Sequence, residues 1–157
     1  MSTEALIDRI LDRGEEASGS AVDAVHDLMD DATIDASERS LSVAETAALL
    51  GLSSHTLRYY EKQGLVHPMR NSSGYREYAA FDLRRLVFIT RMRLSGMTMS
   101  DLGRYIALVE EGAGTVAERR EIMLDQRDRI AAQIRELALA LEITEYKITA
   151  YGGHPAG

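Results

Sequence analysis

Between Val116 and Tyr151 the chain contains neither proline nor glycine, and this stretch limits the fold more than any other feature. Such an uninterrupted pattern predicts a single long helix. Steps of four and three from Met123 reach Arg127, Ile130, Ile134, Leu137, Leu141, Thr144 and Ile148. Six of those eight positions are apolar (Met123, Ile130, Ile134, Leu137, Leu141 and Ile148), a heptad seam sustained over more than three heptads. A helix this long carries more apolar stripe than a small domain can cover. It therefore predicts a partner helix, most simply from a second copy, so that the chain is expected to be a homodimer.

Upstream, the punctuation marks a different architecture. Ser42 and Glu45 form an S-x-x-E capping box ahead of VAETAALL. Gly51 follows where a helix end favours positive φ. Ser53 then caps a second helix through about Lys62, ended by Gly64. Two short helices joined by a tight turn with glycine are the pattern of a helix-turn-helix. Leu65-Val66 and Tyr75–Tyr78 flank HPMRNSSG, which predicts a short two-stranded hairpin, a wing packed on the helices. A helix from about Phe81 to Ser95 and another from Thr98 or Ser100 to Glu111-Gly112 complete this part. The tail after Tyr151 is a loop.

Charge is divided unevenly. The chain of 157 residues has a net charge of −7, but residues 1–40 hold 11 acids against 3 bases, whereas residues 41–110 hold 6 acids against 9 bases. The mildly basic middle segment, not the acidic total, sets the field that a polyanion meets. Residues 1–40 show two short helical patterns, around Glu4–Leu11 and Ala21–Met29, parted by GEEASGS. This extension is expected to be weakly ordered or docked on another surface. No apolar run is long enough for a membrane span, and the acid-aliphatic start lacks the order of a signal peptide. A cytoplasmic protein without membrane contact is the simplest expectation. The absence of cysteine removes thiolate metal sites, thiol nucleophiles and thiol switches.

The stretch SSHTLRYYEKQGLV, residues 53–66, has the chemistry of a recognition helix. Ser53, Ser54, His55 and Thr56 make a small polar end that can enter a major groove. Arg58 supplies a cation, and Tyr59 or Tyr60 a hydroxyl within reach of phosphate. Adjacent helical residues point about 100° apart, so one tyrosine and Leu57 are expected to face inward.

TLRYYEKQGLV, then R-x-x-x-GYREY, D-L-x-x-L-x-F-I and R-x-x-GM-x-x-x-x-L follow one another in order. This succession, over roughly residues 41–151, resembles the MerR family of bacterial transcription regulators. The resemblance implies a mainly α fold: a winged helix-turn-helix DNA-binding domain over 41–112, then an antiparallel coiled-coil dimerisation helix over 113–151 and a tail over 152–157. It implies that Ser54, His55, Thr56, Arg58 and Tyr59 lie on the recognition helix, and that Arg70, Tyr75 and Arg76 lie on a wing facing the phosphate backbone. His55 and Thr56 are the candidates for base edges. Tyr78 and Leu57 are expected in the core. Arg84, Arg85, Arg91 and Arg93 face either DNA or solvent.

The resemblance further implies binding to double-stranded promoter DNA with paired half-sites, distortion of an overlong spacer, and contact with RNA polymerase. The ending resembles a short branch with aldehyde- and electrophile-responsive members, where a reactive cysteine aligns with Arg91. Without that cysteine the sensing chemistry is not implied. A small-molecule effector pocket lined by Tyr105, Leu108 and Met123, and binding without any ligand, both stay open. His26, His55, His67 and His154 lack metal-ligand spacing, and no cofactor is expected. No P-loop, G-x-G-x-x-G, H-E-x-x-H or dense carboxylate cluster suggests an enzyme. The rival expectation is an architectural winged-helix protein without regulated promoter untwisting.

Overall fold

The computed structural model describes residues 4, 5, 7, 8 and 38–153. The chain enters through a two-residue strand, β1 (Leu41–Ser42), which leads directly into α1 (Val43–Leu50). The capping box is formed in both directions: the Glu45 N–H donates to Ser42 Oγ at 3.2 Å, and the Ser42 N–H donates to Glu45 Oε1 at 3.2 Å. Gly51 closes α1 with φ 65°, a left-handed turn that costs a glycine little. The Leu52 N–H then reaches back to the Ala47 carbonyl at 3.0 Å. After this turn α2 (Ser54–Lys62) begins, its Thr56 N–H accepted by Ser53 Oγ.

The wing comprises β2 (Met69–Arg70) and β3 (Arg76–Tyr78), paired antiparallel with Arg70 opposite Arg76. The outer strand is Met69–Arg70 and not the expected Leu65-Val66, whose apolar side chains are buried in the core instead of pairing. A third strand joins the two: β1 pairs antiparallel with β3, Leu41 opposite Tyr78, giving the order β1-β3-β2. The central position of β3 fixes the wing to the start of α1, which an isolated hairpin could not achieve. Two helices follow, α3 (Ala80–Leu94) and α4 (Met99–Glu111), and then, after a short 3-10 turn, α5 (Val116–Ala150).

The core of the head is assembled from every element but the outer strand β2, whose two residues are exposed. Leu41, Leu57, Leu65, Val66, Tyr78, Leu86, Ile89, Met97 and Leu102 are almost wholly removed from water. The Tyr78 and Leu57 expectations are met. Ile7 joins this same cluster at 0 % exposure, so part of the acidic extension docks on the head. The expected helical patterns around Glu4–Leu11 and Ala21–Met29 lie largely outside the described residues.

The first half of α5, as far as Gln133, touches the head. Ile122 and Gln126 are buried there, and Met123 packs against the core cluster. Beyond this footing the apolar seam emerges: Ile130 is half-buried, Ile134, Leu137 and Leu141 are 62 %, 70 % and 58 % exposed, and Ile148 is half-exposed. Among the described residues, no helix is long and apolar enough to cross a membrane.

Candidate nucleic-acid interface

The alternation of α2 sorts its side chains into two faces. Leu57 and Tyr60 turn inward, Tyr60 to 7 % exposure, while Tyr59 stays 42 % exposed beside it. Their rings sit 6.0 Å apart at 43°, so Tyr59 partly covers its buried neighbour. Ser54, His55 and Arg58 share the exposed face. Thr56 stands apart from them. Half-buried, it exchanges a 2.9 Å hydrogen bond with Ser53 Oγ and donates its N–H to the same oxygen at 3.0 Å. Its hydroxyl thus belongs to the helix cap in the free protein.

The wing turn is built by Asn71, whose Oδ1 accepts the N–H groups of Ser73 at 2.9 Å and Tyr75 at 3.0 Å. This arrangement projects Tyr75 outward at 72 % exposure. Arg70 Nη1 donates to the Gly74 carbonyl at 2.9 Å, which lays that side chain along the turn. Arg58 Nη2 donates to Ser54 Oγ at 3.3 Å, one helical turn back. Arg76 is held by the Glu61 carboxylate of α2 through its Nε.

Between α2 and the wing lies an open cleft of about 330 Å³ lined by Arg58, Arg70, Tyr75 and Arg76 together with the start of α1 at Ser42–Ala44. The opening N–H groups of a helix lack intrahelical partners and favour anions. Three guanidinium groups and a helix start around one concave surface have the chemistry that suits a phosphate oxyanion. The sequence singled out the arginines and Tyr75. It gave no sign of Ser42–Ala44 at this cleft or of Glu61 pairing with Arg76, because both depend on contacts between distant segments.

Other predicted positions fall elsewhere. Arg84 is buried, and Arg85 is 10 % exposed in its side chain, donates to Glu110 Oε1 at 2.6 Å and lies 4.6 Å from the centre of the Phe81 ring. These two therefore belong to the head's interior, while Arg91 and Arg93 stay exposed. Arg93 donates to the Met97 carbonyl at 2.6 Å. His67 Nε2 lies 2.9 Å from the same Glu110 carboxylate oxygen, which accepts from it. Leu108 is buried, and Tyr105 stacks on Phe88 with ring centres 5.1 Å apart. Tyr105 and Met123 both pack against the head's core from its rim. Among the described residues no group of three or more His, Cys, Asp or Glu side chains is arranged to hold a metal ion.

Burial perturbs two groups in the head, Tyr78 and Asp82. It raises the Tyr78 hydroxyl above the usual phenol range, with Glu61 adding to the effect and Arg76 opposing it. It also raises the Asp82 carboxyl, although the Ala79 N–H that this carboxylate accepts pulls the other way. At the start of α1 the opposite occurs: the hydrogen bond from Arg39 holds the Glu45 carboxyl below the ordinary range.

Helix, turn, helix and wing around a cationic cleft, continued by a helical arm, define a winged helix-turn-helix DNA-binding protein. Comparison with known proteins agrees. The model described as "MerR HTH family regulatory protein" matches residues 41–108, and that described as "MerR, DNA binding" matches residues 83–142. The chain is 34 % identical over 114 residues to the HTH-type transcriptional regulator HmrR of Rhizobium leguminosarum bv. viciae, covering 73 % of this chain and 88 % of that one. It is similar to a solved putative MerR family regulator from Listeria monocytogenes (TM-score 0.68, 37 % identity, 73 % and 88 % of the two chains). It is also similar to HiNmlR, a MerR family regulator lacking the sensor domain and bound to promoter DNA in its crystal structure (TM-score 0.67, 31 % identity, 71 % and 90 %). The chain belongs to the MerR family and is a DNA-binding transcriptional regulator.

Proposed function

We propose that this regulator works as a cytoplasmic homodimer, joined along α5, that grips paired half-sites of a promoter and distorts an overlong spacer between them. The observation that supports this most is the coexistence of a cationic cleft on the head with an uncovered apolar seam, Ile134, Leu137 and Leu141, on the arm. An isolated chain that leaves such a seam in water forgoes burial stabilisation that a second copy supplies. Pairing two arms antiparallel fixes the distance between two heads, and hence between the two DNA segments they hold.

In this reading Arg58, Arg70, Tyr75 and Arg76 contact phosphates, while Ser54, His55 and Tyr59 meet the groove wall and base edges. Thr56 joins them only by giving up its bond to Ser53. Sequence-dependent stiffness of the spacer then adds to specificity, because the bound dimer selects DNA that bends and untwists cheaply. RNA polymerase reads the reshaped promoter. A small-molecule effector at the junction of head and arm, near Tyr105, Leu108 and Met123, shifts the balance between two dimer shapes only if it binds them unequally. The resemblance to regulators, and the absence of any catalytic constellation in the sequence, support a role without enzymatic activity.

The test joins mass to footprint. Sedimentation at several concentrations is expected to give twice the chain mass, and DNase protection of selected promoter fragments is expected to show two protected half-sites flanking a hypersensitive spacer. A monomer that protects a single site overturns the paired-head reading and favours an architectural winged-helix protein.

A further inference from the structure

The ion pair between Glu61 and Arg76 joins the recognition helix to the wing, and its Arg76 lines the cationic cleft. Their side chains are only 26 % and 24 % exposed, and the contact runs from the Arg76 Nε to the Glu61 Oε2. Arg76 also lines the cleft with Arg58 and Arg70. A guanidinium has five N–H donors. With Nε engaged, its two terminal amino groups remain as the forked edge that fits a phosphate.

Three guanidinium groups around one cleft repel each other before any anion arrives. A carboxylate behind one of them relieves this repulsion and fixes its rotamer, so that ordering entropy is lost on folding instead of on binding. The Tyr78 hydroxyl lies buried in the same field without a hydrogen-bond partner among the described residues. Glu61, Arg76, Asp82 and Arg58 all act on it electrostatically. A bare structural ion pair would have no need to sit where two other arginines converge.

We propose that Glu61 is a positioning residue for DNA binding: by holding the Arg76 Nε it aims the terminal edge of that guanidinium into the cleft, and it ties α2 and the wing into one phosphate-gripping unit. The proposal rests on the reading that this cleft meets DNA phosphate. Glu61 carries a negative charge close to where a phosphate sits, so a purely electrostatic view makes the opposite prediction for its removal.

Fluorescence anisotropy of the full chain with random-sequence duplex DNA over a salt series decides between these views, with urea unfolding run on each variant. Arg76→Ala is expected to make the slope of log affinity against log salt shallower by about 0.9, the loss of one phosphate contact. Glu61→Gln is expected to weaken binding roughly tenfold at low salt, the size of one misaligned charge-assisted hydrogen bond. Glu61→Asp keeps the charge but withdraws it by one methylene, and is expected to weaken binding too. The double variant Glu61→Gln/Arg76→Ala is expected to bind no worse than Arg76→Ala alone, because Glu61 acts through Arg76. Tighter or unchanged binding by Glu61→Gln, or losses that add in full in the double variant, overturn the positioning role. An unchanged salt slope in Arg76→Ala, or no salt-dependent binding by the wild type, overturns the cleft reading and the proposal with it.

Discussion

Gln126 on the arm reaches Ser95 at the end of α3, its Nε2 lying 2.9 Å from the Ser95 hydroxyl and 3.2 Å from the Ser95 carbonyl. Two turns further along, Gln133 Nε2 donates to that same carbonyl at 3.0 Å. Ser95 in turn donates its hydroxyl to the Met92 carbonyl at 2.9 Å. The angle between head and arm is thus set by a polar joint, reinforced by the Arg129–Asp101 pair at 3.0 Å. In the proposed dimer, this joint is what would carry the arm's geometry to the head.

Gln126→Ala is therefore expected to cost about 1–3 kcal/mol of unfolding free energy, since it opens a small cavity and removes hydrogen bonds from a nearly buried residue. Gln133→Ala, on an exposed part of the arm, is expected to cost well under about 1 kcal/mol. Urea denaturation of the two variants checks the contrast. Equal, small losses would show that the footing of α5 rests on Ile122 and Met123 alone.

Tyr59 and Tyr60 are adjacent in sequence and opposite in duty. Tyr60→Ala is expected to destabilise the head by about 3–5 kcal/mol, the range for removing a buried aromatic ring. Tyr59→Ala is expected to leave stability within about 1 kcal/mol and to weaken DNA binding. Thermal melts paired with DNA titrations separate the two effects. A stable Tyr60→Ala variant would mean that the inward face of α2 does not depend on this ring.

Ile7 tests whether the extension belongs to the fold. Its side chain is fully buried with the head's core, whereas Asp8 beside it is exposed. Ile7→Ala is expected to cost about 2–5 kcal/mol, and Asp8→Ala within about 0.5 kcal/mol. Comparable midpoints for both variants in chemical denaturation would contradict docking of this segment.

What the sequence made legible was mostly local. The Ser42–Glu45 box, Gly51 and Gly64 mark their helix ends through bonds spanning a few residues, and the long helix announces itself by lacking any breaker. The contacts that escaped it are nonlocal. β1 is two residues long and pairs with Tyr78 far along the chain, so it carries no periodic signal of its own. Arg85 reads as a surface cation until Glu110 and the Phe81 ring are brought to it by folding. The cleft was visible as a set of cations, but Glu61 looked like any helix acid until β3 placed Arg76 against it.

The buried Asp82 predicts an acid-side signature. Burial raises its carboxyl above the ordinary range, so between its unfolded and folded values the folded chain binds more protons than the unfolded one. Stability contributed by this group therefore falls as pH rises through that interval. Asp82→Asn keeps an acceptor for the Ala79 N–H and removes the charge, so it is expected to stabilise the head at neutral pH and flatten this slope. Glu45 has the opposite sign: held low by Arg39, its contribution is present above its unfolded value and lost as pH falls through the folded one. Urea midpoints of Asp82→Asn and Glu45→Gln from acid to neutral pH are expected to diverge from wild type in opposite directions.

The arm gives the most direct test of assembly. Leu137 lies at the middle of the seam, 70 % exposed in the single chain and remote from the buried footing at Ile122 and Gln126. Leu137→Asp places a charge where two apolar faces are proposed to meet, and burying an unpaired carboxylate there is prohibitive. Because the residue makes no contribution to the head's core, the variant is expected to keep a folded head with near-native circular dichroism while sedimenting as a monomer. Its DNA affinity is expected to drop by a factor of roughly 100 or more, because two heads on one scaffold gain from an effective concentration that a lone head lacks. A Leu137→Asp protein that still sediments at twice the chain mass would place the pairing surface elsewhere on α5, with the opposite stripe of Leu139, Ile143 and Tyr146 the next to be substituted.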